Sequence, residues 1–84
     1  MASFSYRPSR VCSREILFDL EDNIVSNVRF VMGCGGNTQG IGALVEGMHV
    51  DEVIKRLENI DCGGRGTSCP DQLAQALKQA KEQN

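Results

Sequence analysis

The chain has 84 residues, of which 24% are charged and 40% hydrophobic, with a formal net charge of −2 and one histidine. That length makes one domain, residues 1–84, with a core small enough that metals, disulfides or association commonly supplement it. The charge balance argues against a basic nucleic-acid-binding face, and a longest apolar run of three residues, Phe30-Val31-Met32, spans no membrane.

From the N-terminus, Phe4 and Tyr6 predict a short edge strand that stops at Pro8. Across residues 15–21, Ile16, Phe18 and Leu20 alternate with more polar neighbours, the period of a half-buried strand. Glu21-Asp22-Asn23 is a turn signal. Val28, Phe30 and Met32 then alternate with Asn27, Arg29 and Val31, which predicts the second strand of an antiparallel hairpin. Leu17 and Val31 point away from the face of Phe18 and Phe30, and a second apolar sheet face predicts a homodimer.

Beyond the hairpin the period changes. Ile41, Leu44, Val45 and Met48 mark one face of a helix, kept short by Gly40, Gly42 and Gly47. Val50, Val53, Ile54, Leu57 and Ile60 predict a second helix, with Asp51 and Glu52 suiting its first turn. Leu73, Ala76, Leu77 and Ala80 predict a third. Ser68 and Asp71 form a capping-box-like pair at its start, and Pro70 falls in its first turn. The order predicts an α+β fold: a small antiparallel sheet, made of the hairpin and the edge strand, followed by three helices on one face.

Four cysteines, Cys12, Cys34, Cys62 and Cys69, fall at the predicted junctions beside Gly, Ser or Pro. The N-terminus carries no apolar signal segment, so the expected compartment is the cytoplasm. There thiols stay reduced, and a cysteine set reads as metal-binding or catalytic before it reads as disulfides. Cys12 precedes one hairpin strand and Cys34 follows the other, so antiparallel pairing brings both to one end. Cys69 opens the last helix, where the dipole favours a thiolate. Cys62 lies seven residues earlier in the same Gly-rich connection. Four thiolates suit tetrahedral zinc or an iron–sulfur cluster. No CxxC knuckle is present, so buried inert thiols and a redox pair of Cys62 and Cys69 stand as alternatives.

Asp19, His49, Asp61 and Asp71 are substitute ligands, although His49 also reads as an ordinary helix-start residue. The Gly33-Cys34-Gly35-Gly36-Asn37-Thr38 loop lacks the Lys-Ser/Thr of a phosphate-binding loop, so its glycines read as room for close backbone approach. Arg7, Arg10 and Arg14 read as a solvated basic edge. No Ser-His-Asp set or carboxylate dyad is present to support acyl-transfer chemistry.

The run Thr67-Ser68-Cys69-Pro70-Asp71-Gln72-Leu73-Ala74 resembles the namesake motif of the TSCPD domain family. Val11-Cys12, Gly33-Cys34-Gly35-Gly36-Asn37, Leu44-Val45-Glu46-Gly47-Met48 and Ile60-Asp61-Cys62-Gly63 extend the likeness to the family's small stand-alone members. A related segment of that family lies in the C-terminal part of adenosylcobalamin-dependent ribonucleotide reductases. The resemblance thus implies an accessory domain, with a ribonucleotide reductase or another protein as partner. The chain is too short for the catalytic barrel, so catalysis by the domain alone is not expected. A weaker likeness links Cys12, Cys34 and Cys69, in order and context, to the three cysteines of NifU N-terminal-type iron–sulfur scaffolds. Ser13-Arg14 stands where those proteins have Gly-Asp, and Ser68 where they have His. These readings together predict a zinc-binding accessory module using all four cysteines, with an iron–sulfur scaffold or a metal-free interaction domain as alternatives.

Overall fold

The computed structural model describes residues 2–8, 14–31, 35–60, 64 and 66–83. Three strands, β1 (Ala2–Tyr6), β2 (Glu15–Glu21) and β3 (Ile24–Val31), are followed by three helices, α1 (Gly35–Val45), α2 (Val50–Leu57) and α3 (Cys69–Gln83). The strands form one antiparallel sheet in the order β1-β2-β3. This is the α+β arrangement expected from the sequence.

Alternation on the central strand sets the layers. Ile16, Phe18 and Leu20 are buried, and the Phe18 ring stacks on Phe4 of the neighbouring strand with centroids 5.4 Å apart. Helices cover this face only. Val45 of α1, Val50, Val53 and Ile54 of α2, and Leu73, Ala76, Leu77 and Ala80 of α3 complete the core with Val25 of β3. The outward face carries Ser3, Ser5 and Arg29 alongside Leu17 and Val31. Exposed Ile24 lies on the same face, so Leu17, Ile24 and Val31 all face away from Phe18 and Phe30 among polar neighbours.

The β2–β3 turn is the tight two-residue kind. Asp22 and Asn23 both have left-handed backbone, at φ 50° and 65°, matching the twist of the strands. Further along, the ladder slips: Leu17 pairs with Arg29 but Asp19 pairs with Ser26. Two residues of β3, Asn27 and Val28, thus oppose Phe18, and Asn27 takes φ 54°. This bulge lets Val25, Val28 and Phe30 share the inner side although their numbers differ in parity. It also explains why β3 begins at Ile24, earlier than alternation alone suggests. Asp19 holds the bulge from the outward face, accepting from the Asn27 Nδ2 and the Ser3 Oγ, each at 2.7 Å.

The first helix differs from its predicted face. Leu44 is 77% exposed, while Ile41 and Val45 pack inward. Gly42 explains the rotation. A Cβ there would lie 2.9 Å from the Val28 carbonyl oxygen, so the glycine is where α1 meets β3. Leu44 is two residues on, about 200° around a helix of 3.6 residues per turn. Similarly, α2 stops at Leu57 and does not reach Ile60, because Asn59 turns left-handed at φ 68°.

Two glycines of α1 should respond oppositely to alanine. Gly42→Ala forces a methyl group against backbone and should destabilise by about 1–3 kcal/mol. Gly40, with nothing within 4 Å of its would-be Cβ, should gain up to about 1 kcal/mol from helix propensity. Urea unfolding of both variants measures the contrast. A second outcome concerns acid. Donation from Asn27 and then Ser3 holds the Asp19 carboxyl below its ordinary value of 3.8. A depressed folded value stabilises above the unfolded one and is lost as pH falls through the folded value. Asp19→Asn should therefore flatten the loss of stability below about pH 4, as read from melting temperature against pH.

Candidate functional site

Of the four predicted thiol ligands, Cys69 is described; Cys12, Cys34 and Cys62 lie outside the described residues, as does Asp61. Cys69 is half-buried in the first turn of α3. Among the described residues, no three His, Cys, Asp or Glu side chains are grouped to hold a metal.

Around Cys69 the backbone is fixed by its neighbours. The Ser68 Oγ accepts from the Asp71 N–H at 3.1 Å, and the Ser68 carbonyl accepts from the Gln72 N–H at 2.8 Å. Ser68 is therefore the cap that the sequence suggests. The other half of the predicted capping box is not formed. The Asp71 carboxylate turns instead to the preceding connection, accepting from the Asn59 N–H at 2.6 Å and the Thr67 hydroxyl at 2.6 Å. Gln72 Nε2 donates to the same hydroxyl oxygen at 2.8 Å, and Gln75 Nε2 reaches Asp71 at 3.5 Å. Thr67, Ser68, Asp71 and Gln72 are all buried. Burial pushes the Asp71 carboxyl up, but Thr67, the Asn59 N–H, Gln75 and the charge of Lys78 outweigh it, and the net direction is below the ordinary value. The parts played by Thr67, Gln72 and Asn59 are not visible in periodicity; the only sequence signals are polar residues one helical turn apart and an Asn at a helix end.

Topology fixes where Cys69 sits. The Val50 N–H donates to the Asn23 carbonyl at 2.7 Å, and His49 bridges to Ile24, so α2 begins at the hairpin turn. Lys81 in the last turn of α3 bonds Asp51 in the first turn of α2. At 1.5 Å per residue, Cys69 is thus roughly 18 Å from Lys81, away from the turn. The hairpin's other end also lies away from the turn. There the Arg14 N–H donates to the Val31 carbonyl at 2.7 Å. Arg14 is two residues from Cys12, and Val31 three from Cys34. Asn59, held by Asp71 at the start of α3, is three residues from Cys62. Exposed Arg7 and Arg14 line one cleft with Glu15 and Val31 at the same hairpin end, in keeping with a basic edge; Arg10 lies outside the described residues.

The substitute ligands are dispersed. His49 caps α2 at the turn end, its Nδ1 accepting from the Asp51 N–H at 3.1 Å. Asp19 is on the outward face of the sheet, opposite the helices. Asp71 neighbours Cys69, but both its oxygens are committed.

The site therefore lies at the start of the last helix of a small β-β-β-α-α-α domain, with Thr67, Ser68, Asp71 and Gln72 buried around it. Residues 3–81 match the TSCPD domain, and the chain belongs to that family. No curated protein and no solved structure matches it. Among the described residues, no helix is long and apolar enough to cross a membrane.

Loss of the cap has a defined scale. Ser68→Ala should cost about 1 kcal/mol, lowering the melting temperature by roughly 4–8 °C in a domain of this size. Calorimetry of the variant beside the parent measures it.

Proposed function

We propose that this chain is a small cytoplasmic metal-binding accessory module in which Cys12, Cys34, Cys62 and Cys69 hold one zinc ion. The observation that carries this reading is the separation of both Cys69 and the Arg14–Val31 pair from the hairpin turn. Chain connectivity keeps Cys12 and Cys34 within three residues of that pair, and keeps Cys62 within three of Asn59. One further feature suits soft anionic donors: the positive charge of Arg7 and Arg14 at that end of the hairpin. Soft sulfur donors in a tetrahedral set favour zinc or an iron–sulfur centre over hard cations. The resemblance to the C-terminal segment of adenosylcobalamin-dependent ribonucleotide reductases suggests such an enzyme as partner, with the domain itself not catalytic.

Anaerobically purified protein should carry close to one zinc per chain by elemental analysis. Its thiols should react slowly until a chelator is added. Iron with visible absorption in place of zinc would move the function to an iron–sulfur scaffold or carrier. Absence of metal together with four freely titrating thiols would favour a metal-free interaction domain and refute both metal readings. Cys69→Ser should lose more metal than Cys62→Ser, since Cys69 is fixed by the capped helix; equal retention in both refutes the assigned ligand set.

A further inference from the structure

We infer that the outward face of the sheet is an interface for a second copy of this chain, seated with its strands reversed. No cysteine lies on this face, so it is separate from the proposed metal ligands. Ile16, Phe18 and Leu20 of β2 are buried under the helices, so Glu15, Leu17, Asp19 and Glu21 face the other way. Three apolar side chains stand there. Leu17 is half-buried opposite Arg29, while Ile24 and Val31, at opposite ends of β3, are 37% and 36% exposed. They are spread over the face and not joined in one patch, so apolar area alone selects no partner.

Charge makes that selection. The end of the sheet away from the hairpin turn is basic. Exposed Arg7 and Arg14 line one cleft with Glu15 and Val31, and Arg29 stands in the next outward row. Among the described residues, neither Arg7 nor Arg14 is in an ion pair. The turn end is acidic: Asp19, Glu21 and Asp22 lie in a run, residues 19–28, that holds no Lys or Arg. Lys81, which α3 brings to that end, is already bonded to Asp51. From Glu15 to Glu21 is about 20 Å along the strand. A surface with opposite charge at its two ends is complementary to itself when one copy is turned end for end. The operation is a two-fold axis lying between the sheets and across the strands. It sets the arginine end of each copy over the carboxylate end of its partner and brings Val31 toward the partner's Ile24. Stacking without the reversal opposes like charges, which is costly. A foreign partner must reproduce this polarity, whereas a second copy has it by symmetry. Three strands about 4.8 Å apart make a narrow face, at the low end of area for specific association, so the dimer belongs in the micromolar range.

Sedimentation equilibrium of the full chain across about 5–500 µM should show monomer and dimer in exchange. Raising sodium chloride from about 50 to 500 mM should weaken the dimer by about tenfold, because the contacts are between exposed charges. Two variants reverse one end each. Arg7→Glu with Arg14→Glu makes both ends acidic. Glu21→Lys with Asp22→Asn removes the acidic end, and asparagine suits the left-handed backbone at that turn position. Each variant alone should associate about tenfold more weakly than the parent. An equimolar mixture of the two should associate more tightly than either alone, since opposite ends again face each other. A parent chain that stays monomeric throughout overturns the proposal and leaves the face to a different partner. A dimer that the variants leave unchanged also overturns it, because the contact then lies elsewhere, as does a mixture no tighter than its components. Circular dichroism reports whether each variant folds. Where Arg7→Glu with Arg14→Glu does not, Arg7→Gln with Arg14→Gln is read in the salt series: loss of the salt dependence supports the interface, and its persistence overturns it.

Discussion

One-sided burial of the central strand governs this molecule. Ile16, Phe18 and Leu20 project from β2 to a single side, and each helix must lie on that side to cover them. With α2 pinned to the hairpin turn, its first turn is also where α3 must end. The start of α3, with its cysteine, is then carried away from the turn. The position of the candidate site follows from where apolar surface had to be hidden, before any property of the thiols is considered.

Two carboxylates organise the polar parts on either side of this core. Asp19, outward, joins all three strands through Ser3 of β1 and Asn27 of β3. Asp71, inward, joins the end of α2 to the start of α3. Each is well shielded and each accepts from more than one donor, so neither is a stranded charge; among the described residues no buried side-chain polar atom lacks a partner. An unpaired carboxylate in either place would destabilise strongly. Their similarity shows how a domain with a small core can fix its connections through directional bonds where apolar area is scarce.

The strands and helices were legible because their burial is periodic. The runs 15–21 and 73–80 each present one apolar face at the right spacing, and nothing competes with that signal. Beta-strand β3 was read short because the bulge at Asn27 switches the parity of its buried residues, which defeats a strict period of two. Leu44 was misassigned for a steric reason: the close approach of α1 to β3 falls on Gly42, a residue with no hydropathy signal at all. At the site, the cap at Ser68 was legible, since it is a local contact between residues three apart. The bond from Asn59 to Asp71 spans 12 positions and depends on how α2 and α3 pack, so local pattern could not reveal it. The family motif was recognisable as a string of letters, but the work of Thr67 and Asp71 is visible only in three dimensions.

The two edges of the sheet are unequal. Along β3, the Val25 N–H is taken by the Met48 carbonyl, the Val25 carbonyl by the Gly47 N–H, and the Asn27 N–H by the Glu46 carboxylate. The segment between α1 and α2 thus serves as a seal, and the bulge beneath it spoils the straight template that a foreign strand would need. At the opposite border β1 is the terminal strand of the sheet, with Ser3 and Ser5 facing solvent. Growth of the sheet by an incoming strand is therefore opposed along the part of β3 where Val25 and Asn27 already spend their outward backbone groups.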